Sequence, residues 1–118
     1  MEKQEFTAMM VKRTKEVAVR IIKMVNSFPQ KTAYFVIGKQ IIKSATSTAA
    51  NYRAVLRARS KKEFFAKLSI VIEECDETLF WLQILEDAEL LEKSLLKPLK
   101  DEVEELLKIL STARKNTN

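Results

Sequence analysis

Apolar side chains recur at steps of three and four in four separate stretches of the chain, the spacing that lines one face of a helix. The first runs from about residue 5 to 28 through Phe6, Met10, Val17, Ile21, Met24 and Phe28, with Arg13 as its one interruption. Pro29 ends it, because proline disfavours a helical residue before it and supplies no backbone donor. Thr32 is placed to cap a second helix, about residues 33 to 58, whose stripe is Tyr34, Ile37, Ile41, Ala45, Thr48, Tyr52 and Val55. Small residues crowd the segment from Ser44 to Ala50, and Gly38 stands in mid-helix at a cost of about 1 kcal/mol relative to alanine. Both features predict that a neighbouring backbone comes close.

Ser60 and Glu63 have the spacing of a capping box and predict a third helix to about Glu86. Its seam is Phe64, Leu68, Val71, Cys75, Leu79, Leu82 and Leu85. A second apolar set, Phe65, Ile70, Ile72, Phe80, Trp81 and Ile84, makes this helix apolar well beyond one stripe. The fourth stretch, about residues 94 to 115, carries Leu95, Leu99, Val103, Leu106, Leu110 and Ala113. Ser94 is its expected cap, and Pro98 falls near the first turn. Four helices with short connections predict an all-α, antiparallel up-and-down four-helix bundle, a single domain over residues 1–118.

One glycine and two prolines in 118 residues argue against a mainly β fold. No apolar run reaches the roughly 20 residues that cross a bilayer, and the first residues lack the layout of a secretory signal, so no membrane association and a cytoplasmic location are expected. Cys75 is the sole cysteine and histidine is absent, which excludes an internal disulfide, a Cys/His zinc site and a Ser-His or Cys-His nucleophile. Cys75 reads as a small buried hydrophobe. No enzymatic activity, cofactor or metal is expected.

Charge is segregated. Through Lys67 there are fifteen Lys/Arg against four Asp/Glu, and beyond it six against twelve. Lys39, Lys43, Arg53, Arg57, Arg59, Lys61 and Lys62 cluster on the second helix, the turn after it and the start of the third. Such a sector either attracts a phosphate backbone or serves as a solvated face. Ser44, Ser47 and Asn51 form a polar line that an antiparallel pairing would bring beside Glu74 and Glu77. That set reads as an interhelical polar network, and the other reading is a ligand or metal site built from Glu73, Glu74 and Glu77. Phe65, Phe80, Trp81 and Ile84 read as an oligomer interface, against a bulky core in an irregular bundle.

Three runs carry a family resemblance: Gly38 to Arg53 (GKQIIKSATSTAANYR), Arg57 to Phe64 (RARSKKEF) and Glu74 to Leu82 (ECDETLFWL). Together they resemble the bacterial four-helix bundle family encoded in intervening sequences of 23S ribosomal RNA genes, over nearly the whole chain. The family's polar signature maps onto Ser44, Ser47, Asn51, Arg53, Arg59, Ser60, Glu74, Glu77 and Trp81, with Lys43 where arginine is frequent. The resemblance implies a ring-shaped homopentamer. A more distant similarity, to the accessory variability protein of retroelements, implies RNA or a nucleic-acid-processing protein as partner. A non-enzymatic oligomer that binds nucleic acid through its basic surface is the expected function, and a protein-interaction adaptor is the alternative.

Overall fold

The computed structural model describes residues 2–117, which form four helices: α1 (Lys3–Asn26), α2 (Thr32–Val55), α3 (Lys61–Asp87) and α4 (Lys93–Lys115). Their periodic apolar faces turn inward onto one continuous core. Met10, Ile21, Ile41, Leu68, Leu82, Leu85, Leu96, Leu106 and Leu110 fill it as its largest fully buried side chains. The result is an elongated antiparallel bundle of 45 × 23 × 20 Å. Among the described residues there is no strand, and no helix is long and apolar enough to cross a membrane.

Helix ends depart from the sequence expectation for physical reasons. α1 stops at Asn26 rather than Phe28, because Ser27 and Phe28 take tightened last-turn bonds to Met24 and Val25. α2 stops at Val55, three residues before Ala58, since Ser60 must turn out of the helix to become an extended N-cap. Thr32 and Ser94 are not caps. The cap positions are Lys31 and Glu92, neither bonding an amide through its side chain. Pro98 therefore lies in the second turn of α4, where its missing donor leaves the carbonyl of Ser94 without its helical partner. The Ser60 hydroxyl does accept from the Glu63 amide at 3.0 Å. The reciprocal half of the capping box is not formed, because the Glu63 carboxylate turns to Arg59 and Lys67, at 3.6 and 3.8 Å.

The α3–α4 turn is built without glycine. Glu89 takes a left-handed backbone, φ 57°, while its amide bonds the Glu86 carbonyl and the Leu90 amide bonds that of Leu85, both at 3.0 Å. This is a Schellman ending, which glycine ordinarily serves. The Tyr34 hydroxyl donates to the Leu90 carbonyl at 2.6 Å and ties α2 to this turn.

Packing is uneven around the bundle. α2 and α3 run most closely together and α1 and α4 least. The small residues of α2 explain the first: Ser44, Ala45 and Thr48 are all buried. Gly38 serves a different neighbour. A Cβ there would stand 2.7 Å from Cγ1 of Val25 in α1, with Phe28 next nearest. The wide α1–α4 edge is bridged by charge instead. Arg13 gives two hydrogen bonds to the Glu102 carboxylate, at 3.0 and 2.7 Å, and reaches Glu105 at 3.4 Å. The Arg13 hydrogen bonds hold the Glu102 carboxyl below its usual range, and the same pair raises the guanidinium further.

Candidate functional site

On α2, helical spacing sets Lys39, Lys43 and Arg53 along the side away from the core, and these three, with Arg57 in the turn after α2, are exposed. No aspartate or glutamate lies in α2 to neutralise them. Of the seven cations singled out in the sequence, only Arg59 makes an ion pair within 4.0 Å among the described residues, the loose contact to Glu63. A solvent-exposed pair of that kind carries little energy.

The antiparallel topology then does what the sequence pattern did not announce. It brings the start of α1, the α2–α3 turn and the end of α4 to one end of the bundle. There Lys3, Arg59 and Lys61 line an open cleft of about 510 Å³ together with Ser60, Phe64 and Asn116. Arg57, Lys62, Arg114 and Lys115 are the neighbouring cations in the chain. Lys3, Arg114 and Lys115 are the members missed from the sequence, and the up-down-up-down order is the signal that would have found them. Two helix N-termini and two C-termini meet at this end, so their dipoles oppose one another and the positive field comes from side chains. At the opposite end, Glu86, Asp87, Glu89 and Glu92 gather around a single lysine, Lys93; Glu86 is also held by Lys100 at 3.0 Å. The α3–α4 turn is thus acidic where the α2–α3 turn at the other end is basic.

The polar residues between α2 and α3 divide differently from the expectation. Ser44 crosses to α3, where its oxygen accepts from Thr78 at 2.9 Å. Thr78 is a buried residue absent from the expected set. Its hydroxyl is also within bonding distance of the Glu74 carbonyl, at 3.0 Å. Asn51 instead donates within its own helix, to the carbonyl and hydroxyl of Ser47 at 2.8 and 2.9 Å. Glu77 accepts from the Trp81 indole at 3.4 Å, again inside one helix. Among the described residues no side-chain hydrogen bond joins Ser47, Asn51, Glu74 or Glu77 across the helix pair. These four are only half-buried, so water can meet their remaining needs without a partner helix.

The interior offers little chemistry. A central void of about 10 Å³ is lined by Thr14, Thr48, Cys75 and Thr78, at the lower limit for one water. Burial, with Asp76 adding repulsion, pushes the Cys75 thiol up to about 12, so thiolate is scarce at neutral pH. Burial likewise raises the Tyr52 phenol, opposed by the nearby Thr7 hydroxyl. Among the described residues no three His, Cys, Asp or Glu side chains come together in a way that could hold a metal.

α3 carries the other candidate surface. Opposite its buried seam, Ile70, Glu73, Glu77, Phe80 and Ile84 follow one another at steps of three, four, three and four. Ile70 and Phe80 remain 48% and 47% exposed although their helix is fully packed on its other side. Trp81 lies beside Phe80 edge to face, 4.9 Å between centroids, and it and Ile84 are half-buried against the core. Phe65 belongs elsewhere. Its ring meets Arg114 of α4 at 5.8 Å, and it stands fifteen residues, about 22 Å, from Phe80 along the helix. The four aromatic and aliphatic residues singled out in the sequence therefore do not form one patch, and Ile70 completes the stripe in place of Phe65.

Comparison with known proteins follows the same outline as the fold. The family model described as 23S rRNA-intervening sequence protein matches residues 7–112. Among solved structures, a protein of unknown function from the S23 ribosomal protein family of Bacteroides thetaiotaomicron is 30% identical, with a TM-score of 0.85 over 93% of this chain and 98% of that one. No curated protein matches the chain.

Proposed function

Because the chain belongs to the 23S rRNA-intervening sequence protein family, we propose that it acts in the cytoplasm without catalysis, as a self-assembling bundle that holds RNA by its phosphates. The observation that carries this reading is the gathering of exposed cations at one end, where Lys3, Arg59 and Lys61 line an open cleft and Arg57 and Lys62 stand exposed in the same segment. A phosphodiester chain supplies the counter-charge that the protein withholds there, and its binding releases condensed counterions. With no histidine and a buried, protonated thiol, the chain lacks a His-activated serine or cysteine nucleophile, which supports binding rather than chemistry.

Assembly strengthens such a site. In a ring of identical copies, five by the family resemblance, the bundle axes share one sense. The basic ends then lie on one rim, and several weak phosphate contacts act on one RNA strand.

Fluorescence anisotropy with a labelled single-stranded RNA, titrated from low to moderate salt, tests the phosphate reading. Affinity is expected to fall steeply with salt. Arg57→Ala combined with Arg59→Ala should flatten the logarithmic slope by about 1.4, or roughly 0.7 for each lost contact. Absence of binding at low salt ends the RNA reading, and nuclease-resistant co-purification of a protein partner would favour the adaptor role.

A further inference from the structure

We propose that the groove between α1 and α2 receives the outer face of α3 from a second copy of this chain, in a head-to-tail contact. This deepens the self-assembly proposed above and rests on it. The groove has a volume of about 680 Å³, with Val25, Phe28, Phe35 and Ile42 as apolar walls and Lys31 and Lys39 among its lining residues. Phe35 is 70% exposed there, the largest exposure of any large apolar side chain in the described chain. An apolar opening rimmed by cations, with no carboxylate in its lining, calls for an apolar knob that brings negative charge with it.

α3 of the same chain presents such a knob. Phe80 projects from the bundle between Glu77 on one side and Ile84 on the other, and Glu73 continues the stripe one turn beyond Glu77. Neither Glu73 nor Glu77 has a salt-bridge partner within 4.0 Å among the described residues. Burying Phe80 among Phe35, Phe28 and Ile42 removes apolar surface on both sides of the contact, while Lys39 meets Glu77 at its rim. The two surfaces lie on different faces of one bundle, so each copy uses one to hold a neighbour and the other to be held. Such a heterologous contact propagates and closes into a ring when the rotation permits.

Lys39 lies sixteen residues before Val55, about 24 Å along α2, and Arg57 stands in the turn beyond. The docking groove and the phosphate-binding end are therefore separate, and their tests do not interfere. The mass of the full-length chain should be measured by sedimentation equilibrium in buffer freed of nucleic acid, for the native chain, Lys39→Glu, Glu77→Lys and the double exchange. The native chain is expected to sediment as a multiple of 13.6 kDa. Each single reversal sets like charges against each other and should weaken association roughly ten-fold or more, and the double exchange should restore it. Phe35→Ser, a change at an exposed site that leaves the core intact, should also give monomers with unchanged helix content. A native monomer would overturn the assembly reading and this contact together. A native oligomer indifferent to these changes, or one that the double exchange fails to restore, would overturn the contact alone.

Discussion

Ser44→Leu is expected to destabilise the folded chain by about 2–4 kcal/mol and lower the melting temperature on the order of 10 °C. Ser44 is fully buried on the side of α2 that meets α3, the closest helix pair in the bundle. The void at the bundle centre, about 10 Å³, is lined by neighbours of Ser44 and not by Ser44 itself. Three added carbons thus have no space to enter and must push the two backbones apart. The change also removes the oxygen that accepts from Thr78 at 2.9 Å. Thr78 retains the Glu74 carbonyl as an acceptor, which limits that part of the loss. Ser44→Ala, which takes away the hydrogen bond without adding volume, should cost about 1 kcal/mol. Urea unfolding of both variants separates the steric cost from the polar one. Equal losses would show that the helix pair has slack the packing does not reveal.

The second large effect concerns α3, whose two apolar faces should respond in opposite ways. Leu82 is fully buried, and Leu82→Ala is expected to cost about 3–4 kcal/mol, since it forfeits transfer energy and leaves a cavity that helices cannot fully collapse. Phe80, two residues earlier, points outward and is 47% exposed. Phe80→Ser should leave the unfolding midpoint of the dissociated chain within about 1 kcal/mol of native, while abolishing association. Unfolding measured at dilution, beside mass measured at high concentration, checks both halves. A large stability loss at Phe80 in the monomer would mean that the ring serves the core and not a partner copy.

Helix number and order, and most of the seams, were legible because period and length leave few alternatives for this chain; in α4 the expected Leu95 is 67% exposed and Leu96 is buried in its place. Leu68, Val71, Cys75, Leu82 and Leu85 are buried as their spacing demands. Caps were less legible, since Lys31 and Glu92 hold cap positions by backbone geometry alone, and side-chain chemistry marks only the Ser60 cap. The Ser44–Thr78 bond was half visible. Ser44 stood out as polar in a buried face, but which residue opposes it depends on interhelical register, which no single helix encodes. Lys3 was hidden for a similar reason: it is remote in sequence and shares a cleft with Arg59 only because the chain reverses direction between helices. Phe65 and Phe80 looked alike in the sequence and are similarly exposed, 43% and 47%, yet they stand about 22 Å apart along α3, where one meets Arg114 and the other Trp81.

Axial polarity gives the proposed function its shape. The cationic cleft and the acidic α3–α4 turn lie at opposite poles, so under the proposed function a polyanion is drawn to the first and repelled by the second. The most direct measurement is ultraviolet crosslinking of the native chain to single-stranded RNA at low salt, with mass spectrometry to locate the attached peptides. Crosslinks should fall on the α2–α3 turn, residues 57–64, and on the end of α4, residues 113–117. Crosslinks concentrated at residues 86–93, or their absence from all peptides, would contradict it.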